Sequence, residues 1–260
     1  MEDRMKEKLQ AFETLLKIMD ELRIKCPWDR EQTFDTLRNL TIEETYELAD
    51  AVLRKDLKEM RKELGDLLLH IVFYARIAAD QEVFDIKDVI DSICEKLIYR
   101  HPHVFGNVDV KDDPEIVKEN WEELKQHEGN KSVLSGVPMS LPALIKANRI
   151  QEKVKAVGFD WDVREQIWDK VREELDELLE EIEAGNKPEI EMEFGDLLFS
   201  VVNAARLHGV DPETALEKTN RKFMNRFNYL ENNTIKKGLS LKEMTLSEMN
   251  EIWEKAKKFD

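Results

Sequence analysis

Apolar residues recur along this chain at intervals of three and four. Leu9, Phe12, Leu15, Leu16, Met19 and Leu22 form one such stripe, and Ile42, Tyr46, Ala49, Val52 and Leu53 another. This is the repeat of one helix face, and strand-like alternation is nowhere sustained, so the pattern predicts an all-α chain. Breakers fall at Cys26-Pro27-Trp28-Asp29, at Arg100-His101-Pro102-His103 and at Asp112-Asp113-Pro114. They are densest over 129–142, which holds two glycines, two prolines and three serines. That stretch is expected to link an N-terminal domain, 1–128, to a C-terminal domain, 143–260.

A shift of 130 positions lays residues 40–76 over 170–206 with 13 identities in 37 positions and no gap. The match continues with small offsets. Cys26-Pro27-Trp28-Asp29 answers Phe159-Asp160-Trp161-Asp162, and the segment from Phe84-Asp85 through Lys96 and Arg100 answers Val210-Asp211 through Lys222 and Arg226. Trp121 and its neighbours answer Trp253 and its own. The chain therefore reads as a tandem duplication of a helical bundle.

Composition narrows the partners. The 260 residues carry 40 Lys+Arg against 56 Asp+Glu, a net charge of −16. Such a surface repels a long polyphosphate backbone, so extended nucleic acid is not an expected partner. The most apolar stretch, 64–79, is broken by Asp66, His70 and Arg76, and the first twenty residues mix charges throughout. No membrane span or secretory signal is predicted, and a cytoplasmic location is expected. Cys26 and Cys94 have no neighbours at zinc-ligand spacing and imply no disulfide framework.

Each copy carries the same acids. The first has Glu43, Glu44 and Glu47, then Glu63 and Asp66; the second has Glu173, Glu174 and Glu177, then Glu193 and Asp196. Residues three apart share a helix face, so Glu44 with Glu47 and Glu63 with Asp66 each present two carboxylates in one direction. Two antiparallel helices would unite four of them. Packed carboxylates repel unless a cation lies among them, and hard oxygen ligands suit Mg²⁺, with Mn²⁺ as a substitute. Asp66 and Asp196 lie in the apolar runs Leu-Gly-Asp-Leu-Leu and Phe-Gly-Asp-Leu-Leu. A charge there is costly unless paired or coordinated, and the preceding glycine is expected to admit a neighbouring helix. Acidic residues on helices are more often a solvated face, but recurrence of all five at one spacing argues against that here.

These acids, together with CPWDREQTF (26–34), RHPHVFG (100–106) and NRKFMNRFNYLE (220–231), resemble the MazG family of nucleoside triphosphate pyrophosphohydrolases over nearly the whole chain. The resemblance implies two all-α MazG-like domains, a homodimer, and Mg²⁺-dependent cleavage of nucleoside triphosphates to monophosphate and pyrophosphate with loose choice of base. It also implies that Glu174, Glu177, Glu193 and Asp196 are the metal ligands of the second copy, the main catalytic candidate. Lys222, Arg226 and Trp253 would then contact the nucleotide. Glu44, Glu47, Glu63 and Asp66 form a second candidate metal site.

Chemistry agrees with that assignment. Lys222 and Arg226 share a helix face and suit phosphate oxygens; a tryptophan face stacks on any base. Lys170, one turn before Glu174, can touch phosphate or form a helix salt bridge. Glu173 points about 100° away from its neighbour Glu174, which leaves it at best a group behind the ligands or a water-orienting base. A di-iron bundle needs Glu-x-x-His, and no histidine has a Glu three positions before it. The remaining rival is a non-enzymatic acidic module that binds a protein; a regulatory protein partner is also compatible with the family. Apolar faces on 67–74 and 197–202 agree with dimerisation.

Overall fold

A computed structural model of the chain describes residues 2–111, 113–114, 116–117, 120–121, 124 and 132–259. All regular structure among them is helical. The chain forms two compact units, Met1–Asp112 and Asp113–Asp260. The described residues of 113–142 thus belong with the second unit, whereas the density of breakers predicts a domain end at 128 and a linker over 129–142. Val137 is buried, and Lys146 Nζ donates to the Met139 carbonyl at 2.6 Å, which ties the segment down. Residues 125–131 of that stretch lie outside the described residues.

The first unit runs α1 (Glu2–Lys25), α2 (Pro27–Glu31), α3 (Phe34–Arg54), α4 (Leu57–Asp80), α5 (Ile86–Arg100) and α6 (Pro102–Phe105). Helices α3 and α4 form a hairpin, and α1 packs against α4. Met19, Leu37, Val72, Phe73 and Ile77 make the core, with Phe12, Leu15 and Leu16 of the first stripe packed on it. Burial of each such side chain contributes about 1.5–3 kcal/mol.

The second unit runs α7 (Ala143–Lys155), α8 (Ile167–Ala184), α9 (Lys187–Leu207), α10 (Pro212–Asn233) and α11 (Leu246–Ala256). Helices α8 and α9 repeat the hairpin; α7 packs on α9 and α10, and α11 on α10. The copies differ where Pro102 stands. Proline lacks an N–H and disfavours helix in the residue before it. Helix α5 therefore stops at Arg100, whereas α10 runs on past its counterpart Arg226 to Asn233.

The two hairpin turns are built alike. Lys55 and Gly185, 130 positions apart, each end the first helix in the left-handed region, at φ 56° and 71°. Asp56 then caps α4 by accepting from the N–H groups of Lys58 and Glu59, and satisfied end groups of this kind fix where a helix begins.

Helices α4 and α9 keep one apolar face outward. Leu64, Leu68 and Ile71 are exposed on α4, and Phe194, Leu198 and Val201 on α9. A Cβ added at Gly65 or Gly195 would meet no heavy atom within 4 Å. The close helix approach expected at these glycines is therefore absent among the described residues, because each lies on this outward face. No helix among the described residues is long and apolar enough to cross a membrane.

Guanidinium groups tie the ends of each hairpin to the preceding segment. Arg23 donates to the carbonyls of Asp29, Arg30 and Gln32 and, through Nε, to Asp80 at 2.8 Å. In the second unit Arg206 holds both carboxylate oxygens of Asp160, its Nη1 bond measuring 3.1 Å. Burial alone would raise the Asp160 carboxyl; the Arg206 hydrogen bonds and the Trp161 N–H outweigh it and hold the group below the usual range.

Left-handed backbone costs a non-glycine residue about 1 kcal/mol. Lys55→Gly is therefore expected to hold or raise stability, and Gly185→Ala to lower it by about 1 kcal/mol, read from urea midpoints. Because Asp160 titrates lower folded than unfolded, its contribution is full well above pH ~4 and is lost as pH falls through the folded value. Asp160→Asn is expected to cost about 3 kcal/mol near pH 7 and to flatten acid unfolding below pH ~5, measured by circular dichroism.

Candidate active site

The hairpins place carboxylates opposite one another because α3 and α8 each carry acids near mid-helix and a tight turn returns the chain along them. In the first unit Glu44, Glu63 and Asp66 bring one oxygen each within 4.8 Å of one another; in the second, Glu174, Glu177 and Glu193 do the same. Glu47 is exposed and lines a hollow with Glu59 and Glu63. Asp196 is exposed too, stands close enough to raise the Glu193 pKa, and lines a separate cavity described below.

The sequence located the buried charge at the aspartates of the apolar runs; the structure moves it. Asp66 is half-buried and Asp196 exposed. Within the two clusters the buried acids are Glu63, 1 % exposed, and Glu174, 6 % exposed. The reason is the outward apolar face of α4 and α9, which leaves Asp66 and Asp196 near its solvent edge while Glu63 and Glu174 turn into the hairpin seam.

Electrostatics follow from this packing. Burial first, and then the charges of Asp66, Glu47 and Glu63, push the Glu44 carboxyl up. Glu193 is raised by burial and by Glu177, Asp196, Glu174 and Glu181. One cation offsets each cluster. Lys62 Nζ lies 2.9 Å from Glu63, and Lys170 Nζ 2.7 Å from Glu174 and 2.9 Å from Glu173. Hydrogen bonds to these acids hold both lysines well above the ordinary ammonium range. Lys170 thus makes the helix salt bridge that its spacing allows. Glu173 is exposed, tied to Lys170, and stands outside the carboxylate cluster.

Two oxygens are left over. Glu63 Oε2 and Glu193 Oε2, at equivalent positions of the two copies, are buried with no hydrogen-bond partner. Desolvating a carboxylate oxygen without a partner is costly, and here it happens twice at one place in the repeat. Three carboxylates that bring oxygens within 4.8 Å of one another, one of them carrying an orphaned oxygen, fit a hard divalent cation.

Beside the second cluster a cavity of about 540 Å³ opens among α7, α8, α9 and the segment 158–161. Glu174, Asp196 and Lys170 form one wall, and Phe159, Trp161, Ile167 and Phe199 supply apolar surface. Sequence reasoning used Phe159-Asp160-Trp161 only as a mark of the repeat; that these residues and Gln151 line a cavity depends on how α7 packs on α9.

Lys222, Arg226 and Trp253 do not line this cavity. They lie on α10 and α11, where the Arg226 guanidinium stands 5.7 Å from the centre of the Trp253 ring and Phe223 lies 5.0 Å from it. Arg226 also borders a smaller hollow with Tyr229 and Phe259. The structure thus brings Arg226 to Trp253 without bringing either to the cavity. In the first unit Lys96 is exposed and Arg100 closes α5.

Residues 32–105 and 164–230 each match the MazG nucleotide pyrophosphohydrolase domain. The chain is 46% identical over 258 residues to the nucleoside triphosphate pyrophosphohydrolase/pyrophosphatase MazG of Thermotoga maritima, covering 97% of this chain and 98% of that one. It is 41% identical over 259 residues to the nucleoside triphosphate pyrophosphohydrolase of Escherichia coli strain K12, covering 96% and 98%. A crystal structure of a mazG-related protein from Thermotoga maritima overlaps 44% of this chain and 98% of its own at 30% identity, with a TM-score of 0.39. With the domain present twice and the relatives matched end to end, the chain belongs to the MazG nucleotide pyrophosphohydrolase family and is a hydrolase.

Proposed function

We propose that this protein is a Mg²⁺-dependent nucleoside triphosphate pyrophosphohydrolase, with Mn²⁺ as a substitute, that cuts ribo- and deoxyribonucleoside triphosphates to monophosphate and pyrophosphate with broad base tolerance. Its role would be clearing the nucleotide pool or adjusting it under stress. The observation that carries the reading is the pair of orphaned oxygens, Glu63 Oε2 and Glu193 Oε2, each inside a carboxylate cluster. A protein-binding acidic face, the rival reading, works through solvated charge and has no use for a buried carboxylate oxygen without a partner.

Glu174, Glu177 and Glu193, with Asp196 beside them, would hold the ion in the second unit, and Glu44, Glu63 and Asp66, with Glu47, in the first. When bound, the ion polarises phosphoryl oxygens and lowers the pKa of a water. Lys170, paired with Glu174 and lining the cavity, would be placed to meet a phosphate beside the ion. Glu173 retains the other side of Lys170 and so fixes where the ammonium stands. Lys222 and Arg226 remain candidates for the outer phosphates, with Trp253 against the Arg226 guanidinium, should α10 and α11 meet the triphosphate.

The second unit is the better nucleotide site. Shifted by 130, its cavity residues Ser200 and Asn203 correspond to His70 and Phe73 of the first unit. His70 is buried and hydrogen-bonded to Thr41 at 2.9 Å, and Phe73 belongs to the core. Large side chains therefore occupy the first unit where small polar ones line the cavity of the second. A homodimer would cover the outward apolar faces of α4 and α9.

Pyrophosphate and phosphate, assayed separately on a panel of triphosphates with the full chain, are expected to show Mg²⁺-dependent pyrophosphate alone. Glu193→Gln and Glu174→Gln should each lower the rate by at least about a hundredfold with helicity unchanged, and Glu63→Gln should spare most of it. Phosphate in place of pyrophosphate, or full activity in EDTA, would overturn the reading. Saturating Mg²⁺, near 100 times its Kd, should stabilise the protein by about 2.7 kcal/mol. In EDTA, Glu193→Gln should melt no lower than the parent, because it removes like-charge repulsion; calorimetry reads both.

A further inference from the structure

The side-chain amide of Gln151 is 3 % exposed and lines the cavity beside Glu174 and Asp196. Its Nε2 donates to the Phe199 carbonyl at 2.9 Å. A carbonyl only accepts, so this bond decides which way the amide points. The other atom, Gln151 Oε1, is buried and has no partner. A polar oxygen fixed in orientation, desolvated and unpaired at a cavity wall is costly unless a ligand or water supplies a donor.

The opposite chemistry stands on α9. Asn203 Oδ1 accepts from Arg206 through both Nε at 3.0 Å and Nη2 at 2.7 Å. Its oxygen is thereby engaged, which leaves the amide nitrogen as the donor of that wall. Arg206 is in turn held by Asp160. The cavity combines an apolar, partly aromatic lining with one oriented acceptor and one oriented donor, and its volume lies within the range of small-molecule sites.

We infer that this cavity receives the nucleobase of the substrate and that Gln151 Oε1 accepts a hydrogen bond from an N–H on the edge of the base. The inference rests on the proposed triphosphate reading, and it adds a residue that senses the base. Every common base has an exocyclic amine or ring imide N–H, so an acceptor of this kind is compatible with broad tolerance. It disfavours a base that has lost that donor. In the first unit the position of Asn203 is taken by the core residue Phe73, so the device belongs to the second unit.

The test compares two substrate pairs on the full-length protein with Mg²⁺: ATP against purine riboside triphosphate, and UTP against 3-methyluridine triphosphate. In the parent protein at least one pair is expected to differ about tenfold or more in kcat/KM in favour of the N–H donor, mainly through KM. Gln151→Met, similar in length but without the acceptor, should bring that ratio close to one, mainly by raising KM for the substrate that carries the N–H donor. A general structural defect would lower all substrates together and keep the ratio. If Gln151→Met does not fold, the parent ratios decide alone. Equal kcat/KM within both pairs, or a ratio that survives Gln151→Met, overturns the inference and leaves the cavity to solvent. If no triphosphate is cleaved, the hydrolase reading fails separately. Calorimetric binding of AMP against purine riboside monophosphate then decides the subsite: tighter AMP binding lost in Gln151→Met supports it, and equal binding overturns it.

Discussion

The carboxylate oxygens of Glu174, Glu177 and Glu193 stand within 4.8 Å of one another, and the rest of the second unit is arranged around the cost of holding them there. At the effective dielectric of a protein surface, two like charges near 4 Å repel by about 4 kcal/mol. The α8–α9 hairpin resists that force with its apolar seam, where Leu178, Val202 and Ala204 are buried, and with Lys170 set against Glu174. The first unit meets the same demand with Val72, Phe73 and Ile77 beneath and with Lys62 against Glu63. Neither lysine neutralises a whole cluster. Part of the residual charge appears as the raised pKa values of Glu44 and Glu193, and part of the cost as the two orphaned oxygens.

From this shared frame the two halves diverge by side-chain size. His70 and Phe73 fill space in the first unit, and Ser200 and Asn203 line a cavity in the second. Removing bulk at those two points leaves room beside the acids, and the Arg206–Asp160 pair holds the open wall in place. Duplication thus kept the charged seam in both halves and altered the packing behind it. The first unit gains a continuous core, and the second gains a cavity against its carboxylates.

Much of the site was legible from spacing. Acids three apart on two helices joined by a turn can face each other, so spacing groups Glu44, Glu47, Glu63 and Asp66 in one half and Glu174, Glu177, Glu193 and Asp196 in the other; the structure brings together Glu44, Glu63 and Asp66, and Glu174, Glu177 and Glu193, and leaves Glu47 and Asp196 outside these triads. Lys170 was also readable as a helix partner of Glu174. The degree of burial was not. Asp66 and Asp196 looked buried because their neighbours in the chain are apolar, yet those neighbours face outward. Helical periodicity shows that a face is apolar, and packing decides which face is covered.

Gln151 marks the same boundary. As one polar residue among many on α7 it carries no signal in the sequence, and it gains one only when α7 lies on α9 and brings the Phe199 carbonyl to its amide. By itself the sequence determined the helices, the duplication and the matched acids, because these follow from periodicity and spacing along one chain, and its motifs carried the family resemblance. Tertiary structure alone decided which carboxylates lose their solvent, which side chains line the cavity beside Glu174 and which amide oxygen lacks a partner, because each depends on atoms brought together from distant parts of the sequence.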